Sequence, residues 1–247
     1  MKRKRQGAFS AVSTGKGIQK RKQQTVGQLV QKAIQRAQDL HGVDLEFLTA
    51  ALKSTTNTND DVHIINAVDL KSGNNARTDS SVSGKSIRIK LRVAYAYAHE
   101  LLTGNIYGNQ VRVAIVWDRK PEGLAVPTYD TIFNSISKSG GTVSSFQSNV
   151  NPNETDRFQV LRDVVFTFEP VGENRKGLTN DAITLFQEKD IFIDLKGRKT
   201  TYKRNVATSN FADFESGCIY LVARSYVADA HNITSVNANV RYRYTEN

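Results

Sequence analysis

The residues whose types and order could do chemistry are Ser83-Gly84-Lys85-Ser86, which resemble the end of a phosphate-binding loop. Such a loop needs a glycine five residues before Gly84, and that position is Asp79. It must also feed a helix whose first amides face the phosphates. The chain instead continues as IRIKLRVAYAYA, with Ile87, Ile89, Leu91, Val93, Tyr95 and Tyr97 on one face and Arg88, Lys90, Arg92, Ala94, Ala96 and Ala98 on the other. A period of two predicts a half-buried β-strand, so the tetrapeptide is a turn or strand start and no nucleotide hydrolysis is expected.

Other catalytic or metal-binding sets are missing. His41, His63, His99 and His231 are scattered without ligand spacing, and no nucleophile elbow or dinucleotide fingerprint occurs. Asp60-Asp61 offers oxygen ligands of the kind calcium takes, which leaves a hard cation between subunits as an open, minor alternative. No catalytic residue, metal or cofactor is expected. The single cysteine, Cys218, excludes an internal disulfide framework and sits in a strand-like run where a buried, inert thiol is expected.

The charge is the informative quantity. Of the 34 Lys and Arg residues, ten (Lys2, Arg3, Lys4, Arg5, Lys16, Lys20, Arg21, Lys22, Lys32, Arg36) lie in the first 36 positions, which hold no acid. The other 24 are balanced by all 24 acidic side chains. A neutral body with a cationic arm suits a polyanionic partner. No apolar run reaches membrane-spanning length, so a soluble protein without membrane contact is expected.

Composition and periodicity divide the chain into four parts. Residues 1–24 have few large apolar groups and no periodicity, and are expected to be disordered in the free chain. Residues 25–53 read as a helical segment. Val26, Leu29, Val30, Ala33, Ile34, Ala37 and Leu40 form one stripe, Thr25 and Gln28 fit a capping box, and Asp44 could begin a second helix in DLEFLTAALK. Such a stripe is not stable alone in water and needs a partner surface to cover it. Residues 54–61 read as a linker.

From Val62 the strands dominate: 62–70, 86–98, 110–118, 157–168, 190–203, 217–228 and 233–245, with the fifth splitting at Gly197 to make eight. A short helix is expected within PTYDTIFNSI, 127–136. Long connections between antiparallel strands favour an all-β Greek-key sandwich over simple hairpins.

The strand residues also carry a resemblance. VRVAIVWDRKPEGLAVPTYDTIFN (111–134) resembles the segment of geminivirus coat proteins in which a hydrophobic strand ends in aspartate, basic residues and proline before a short helix. RFQVLRDVVFTF (157–168) is similar to their Arg-aromatic-Gln-Val-Leu-Arg strand, and ANVRYRYTEN to their last strand of alternating basic and aromatic residues. The former pattern also resembles satellite necrosis virus coat proteins. Zinc-finger-like Cys and His residues of the geminivirus arm have no match here, and the helix at 25–41 has no obvious counterpart there. Membership in the wider group of small circular single-stranded DNA viruses is the safer implication.

The resemblance, over residues 62–247, implies a single eight-stranded viral jelly roll and a homo-oligomeric icosahedral shell of 60 or more copies around single-stranded nucleic acid. DNA is favoured and RNA left open, because backbone electrostatics barely senses the 2′-hydroxyl. Lys2, Arg3, Lys4, Arg5, Lys16, Lys20, Arg21 and Lys22 would grip phosphates through counterion release. Arg88, Lys90, Arg92, Arg112, Arg241 and Arg243, read as facing away from the core, would line the inner surface. The alternative for each is a cross-strand or intersubunit salt bridge. Lys2–Arg5 and Lys20–Lys22 also read as nuclear import signals, implying an import receptor and a life divided between virion and host nucleus. Two competitors remain: a related non-capsid protein that shuttles nucleic acid, and a β-rich enzyme with a basic tail.

Overall fold

A computed structural model describes residues 26–27, 29–30, 40–49, 52, 62–71, 76–97, 108–136, 142–143, 146–169, 183–203, 210–226 and 232–246. The chain divides into two units, residues 1–38 and 39–247. In the first unit, Val26, Gly27, Leu29 and Val30 are helical and exposed. Ala33, Ile34 and Ala37 of the expected stripe, residues 1–24 of the arm and the 54–61 linker fall outside the described residues, and Leu40, the last of the stripe, is exposed and not helical.

The second unit is a sandwich of antiparallel strands. Its strands are β1 (His41–Thr49), β2 (Val62–Ile64), β3 (Ser81–Tyr97), β4 (Asn109–Asp118), β5 (Ser135–Ile136), β6 (Thr142–Val143), β7 (Phe158–Phe168), β8 (Ile183–Tyr202), β9 (Phe214–Ser216), β10 (Cys218–Ser225) and β11 (Asn232–Glu246). One sheet has the order β1-β11-β3-β8-β9, the other β2-β10-β4-β7, and β5 and β6 form a small ribbon. Setting aside β9 and the ribbon, eight strands make two interleaved four-stranded sheets, which is the expected jelly roll. The core lies between them, with Ile87, Ile89, Leu91, Val93, Val111, Val113, Ile115, Val236, Val240 and Tyr242 almost wholly buried.

Three expectations are corrected. Residues 41–49 are not helical but form β1, so the jelly roll begins at His41 and not at Val62. Val43, Leu45 and Phe47 are half-buried while Asp44, Glu46 and Leu48 are exposed, a period of two that pairing with β11 enforces. Second, β8 does not split at Gly197. It runs on through a bulge in which Lys196 and Gly197 take positive φ (53° and 76°), and Leu195 stays buried. Third, β2 ends at Ile64, because Asn66 turns inward. Its amide donates to Thr200 Oγ1 and to the Gly217 carbonyl, both at 2.9 Å, and its Oδ1 accepts from the Ile219 amide at 2.8 Å.

Gly84 explains the tetrapeptide. Ser83-Gly84-Lys85-Ser86 lies within β3, and a Cβ at Gly84 would stand 2.7 Å from Leu195 Cδ1 and 2.9 Å from the Tyr242 hydroxyl. The glycine serves close packing across the β8 bulge.

The 39 residues between β4 and β7 (119–157) include the expected short helix, Tyr129–Ile132, capped by the Thr128 side chain on the Thr131 amide. This connection roofs the outer face of the second sheet. There Arg112 donates to the Tyr129 hydroxyl (3.2 Å) and to the carbonyls of Phe146 (3.2 Å) and Ser148 (2.6 Å). Its neighbour Arg224 lies 3.6 Å from Asp130. Both faces of β10 are therefore covered, and every one of its residues is buried. The first sheet, among the described residues, exposes Arg88, Lys90, Arg92, Arg241 and Arg243 on its outer face.

Candidate nucleic-acid interface

The alternation expected of β3 puts Arg88, Lys90 and Arg92 on the bare face of the first sheet, with Ile87, Ile89 and Leu91 beneath. Register brings Arg241 and Arg243 of β11 onto the same face. Arg241 stands opposite Arg88 on one side and Asp44 of β1 on the other. Arg243 stands opposite Ser86, and Arg88 opposite Phe192 of β8. Five of the six strand-borne cations expected at an interface thus share one surface.

Their electrostatics differ one from another. Arg241 grips Asp44 in a bidentate fork, with both bonds at 2.7 Å. Arg88 donates through Nε to Asp190 at 3.1 and 3.2 Å. Arg92 reaches Glu188 more loosely, at 3.9 Å, and lays its guanidinium 4.8 Å from the centre of the Phe186 ring. Among the described residues, Lys90 and Arg243 form no ion pair. The hydrogen bond from Arg241 holds the Asp44 carboxyl below the usual carboxylate range, and that from Arg88 does the same for Asp190. All these pairs face solvent, so each adds little to stability.

Five acids, Asp44, Glu46, Glu188, Asp190 and Asp194, accompany the five cations on this face. Positive charge is nonetheless gathered locally. A shallow basin of about 340 Å³ is lined by Ser86, Arg88, Asp190, Phe192, Arg241 and Arg243, three arginines against one carboxylate. A neighbouring basin of about 300 Å³ is lined by Asp44, Arg88, Lys90, Asn239, Val240 and Arg241. Charge and curvature coincide where Phe192 is 69% exposed.

Arg112 does not join this group. Instead of the expected open face it occupies a buried position beneath the roof, where its Nη2 donates to Asp163 at 2.6 Å and its guanidinium lies 4.1 Å from the centre of the Phe133 ring. Lys2, Arg3, Lys4, Arg5, Lys16, Lys20, Arg21 and Lys22 lie outside the described residues. Sequence reasoning missed Phe186, Phe192 and the acids that hold Arg88, Arg92 and Arg241. The signal for Phe192 was legible: Ile191 and Ile193 flank it in β8, so an outward phenylalanine is what alternation requires.

Other titratable groups serve the fold. Cys218 is buried, and desolvation pushes its thiol well above the ordinary range. His63 Nε2 lies 2.7 Å from Thr49 Oγ1, and His41 stacks on Tyr244. No group of three or more metal-ligating side chains occurs among the described residues, and no described helix is long and apolar enough to cross a membrane.

Comparison with known proteins adds the family. The profile of the geminivirus coat protein/nuclear export factor BR1 family matches residues 3–247. No curated protein sequence matches the chain. Among solved structures, it is similar to that of Desmodium yellow mottle tymovirus, at 8% identity and a TM-score of 0.24, over 100% of this chain and 96% of that one. It is also similar to the Israel acute paralysis virus pentamer, at 12% identity and a TM-score of 0.22, over 88% and 93% of the two chains. The BFDV capsid protein 60-mer is matched at 12% identity and a TM-score of 0.20, over 84% and 91%.

Proposed function

This chain belongs to the geminivirus coat protein/nuclear export factor BR1 family, and from that premise we propose that it self-assembles into a small icosahedral shell around single-stranded nucleic acid, in the first place circular DNA. The observation that carries the proposal is the separation of charge. The first 36 residues carry ten cations and no acid, and the remainder of the chain is neutral. A polycation binds phosphodiesters without reading bases, through Coulomb attraction and counterion release. A neutral jelly roll can pack against copies of itself without net repulsion. Sixty copies would bring roughly 600 arm charges inward, if each Lys or Arg meets one phosphate. Shell and genome then stabilise one another. The protein acts as structure, with no catalytic step.

The bare face of the first sheet supports a second layer of contact. Lys90 and Arg243 are the cations best able to meet phosphates there, since Arg88, Arg92 and Arg241 already hold carboxylates. Lys2, Arg3, Lys4, Arg5, Lys20, Arg21 and Lys22 also suit the groove of an import receptor, which gives the arm a second use in delivering the protein to the nucleus.

A second reading has its own support, because the family's description includes nuclear export factors. Such a protein would carry nucleic acid as a small soluble complex. Particle formation separates the two. The full chain and residues 25–247 are expressed, viewed by negative-stain electron microscopy, and compared by absorbance at nucleic-acid and protein wavelengths. Closed particles that contain nucleic acid only when the arm is present are expected. A protein that binds oligonucleotides and never closes is the shuttle. A monomer indifferent to oligonucleotides at low salt overturns both.

A further inference from the structure

Phe192 and Phe186 are both outward residues of β8, 69% and 58% exposed, but they are not equivalent. The Phe186 ring is covered by the Arg92 guanidinium. Among the described residues no ring or guanidinium covers Phe192. It forms one wall of the basin whose other lining groups are Ser86, Arg88, Asp190, Arg241 and Arg243. An uncovered phenyl ring inside a concave, arginine-rich surface suits an occupant with a flat apolar face and negative charge. A nucleotide has both.

We propose that this basin is a single-nucleotide subsite, in which one unpaired base of the packaged strand stacks on Phe192 while its flanking phosphates meet Arg243 and Lys90. The assignment rests on the packaging reading and names the residues that would seat a base. Register supplies the spacing. Phe192 is in line with Arg88, and two residues along β3 in either direction lie Ser86, opposite Arg243, and Lys90. Among the described residues, a cation without an ion-pair partner therefore lies beyond each end of the ring's position along the strands: Arg243 within the basin, two strands over, and Lys90 in the neighbouring basin. Ser86 and Lys90 are four residues apart, about 14 Å of strand, a span that the long Arg243 and Lys90 side chains must close to reach the two phosphates flanking one base.

The paired arginines have a different part. Asp190 orients Arg88, and Asp44 orients Arg241, so both guanidinium groups already stand at the walls of the basin. The subsite also selects strandedness. Stacking on a side chain needs a base face free of its neighbours, which a single strand offers and a duplex does not. Contacts of this kind tolerate any base, since each has a π face.

The test uses full-length assembled protein loaded with a thymidine oligonucleotide carrying 5-iododeoxyuridine, irradiated, digested and read by mass spectrometry. A cross-link at Phe192 is expected, absent in Phe192→Ala and retained at that position in Phe192→Trp. Soluble Phe192→Ala is expected to bind the same oligonucleotide about tenfold more weakly, with duplex binding unchanged. Cross-links confined to residues 1–36 overturn the subsite and leave packaging standing, as does a Phe192 joined only to a second copy of the chain. Particles that contain no nucleic acid and give no cross-link anywhere overturn the packaging reading itself.

Discussion

Arg157 and Asp118 are 39 residues apart in the sequence and meet in a buried fork, with Arg157 Nε donating to Oδ1 at 3.1 Å and Nη2 to Oδ2 at 3.0 Å. Asp118 ends β4, and Arg157 immediately precedes β7. They therefore clamp the two ends of the 119–157 connection where it leaves and rejoins the sheet. The Tyr220 hydroxyl donates to Oδ2 at 2.8 Å and the Lys120 amide to Oδ1 at 3.1 Å, so the fully buried carboxylate accepts four bonds. Its lone pairs are satisfied, which is the condition for keeping a charge inside a fold.

Removing one partner should be costly. Arg157→Met leaves Asp118 charged and poorly compensated in the interior, and a loss of about 3–5 kcal/mol of stability is expected. Adding Asp118→Leu should return part of that loss, because an apolar pair avoids burying a lone charge. Denaturant unfolding of the two variants beside the parent chain measures the difference. Equal stability of Arg157→Met and the parent would mean that the fork holds nothing.

The glycine of the false phosphate loop gives a second expectation. Gly84→Ala would push a methyl against Leu195 and Tyr242, both fully buried, and should destabilise by about 1–3 kcal/mol through overpacking. Lys85→Ala, on the exposed side of the same strand, should be nearly neutral. Gly217→Ala should be worse than either, since φ is +74° and the new Cβ would lie 2.4 Å from the Lys199 carbonyl oxygen. Thermal unfolding ranks the three. A phosphate-loop role would show instead as nucleotide binding lost with Lys85.

How far the fold was legible depends on how each strand is covered. β3 and β11 have one buried and one bare face, so alternation displays them openly. β10 is buried on both sides, and its apolar run with β-branched residues was still readable. β1 was misread. Val43, Leu45 and Phe47 alternate, but Leu48, 66% exposed, and Asp44 as an apparent cap made a helical stripe equally consistent. Its partner β11 lies almost two hundred residues away, and no local pattern announces that pairing. The same distance hid the site's electrostatics. Arg88, Lys90 and Arg92 could be placed on a face, yet only register shows that Asp190 and Asp44 occupy Arg88 and Arg241 while Lys90 is left without an ion pair.

Those pairs make a final prediction about pH and salt. Hydrogen bonds from Arg241 and Arg88 depress the Asp44 and Asp190 carboxyls, so their folded values lie beneath the unfolded value of about 4. Whatever the pairs contribute is complete above that unfolded value and is lost only as pH falls through the lower folded ones. Between pH 5 and 8 they should not titrate, and oligonucleotide binding should show no pH dependence from this face. Neutralising them by mutation should act differently. In Asp44→Asn with Asp190→Asn, Arg88 and Arg241 lose their carboxylates and become free to meet phosphates. Each new contact with a single strand steepens the fall of log affinity with log salt by about 0.7, so the double variant should show a slope steeper by about 1.4. Titrations of the full chain with a thymidine oligonucleotide at several salt concentrations read this directly. An unchanged slope would place the nucleic acid elsewhere than on the bare face of the first sheet.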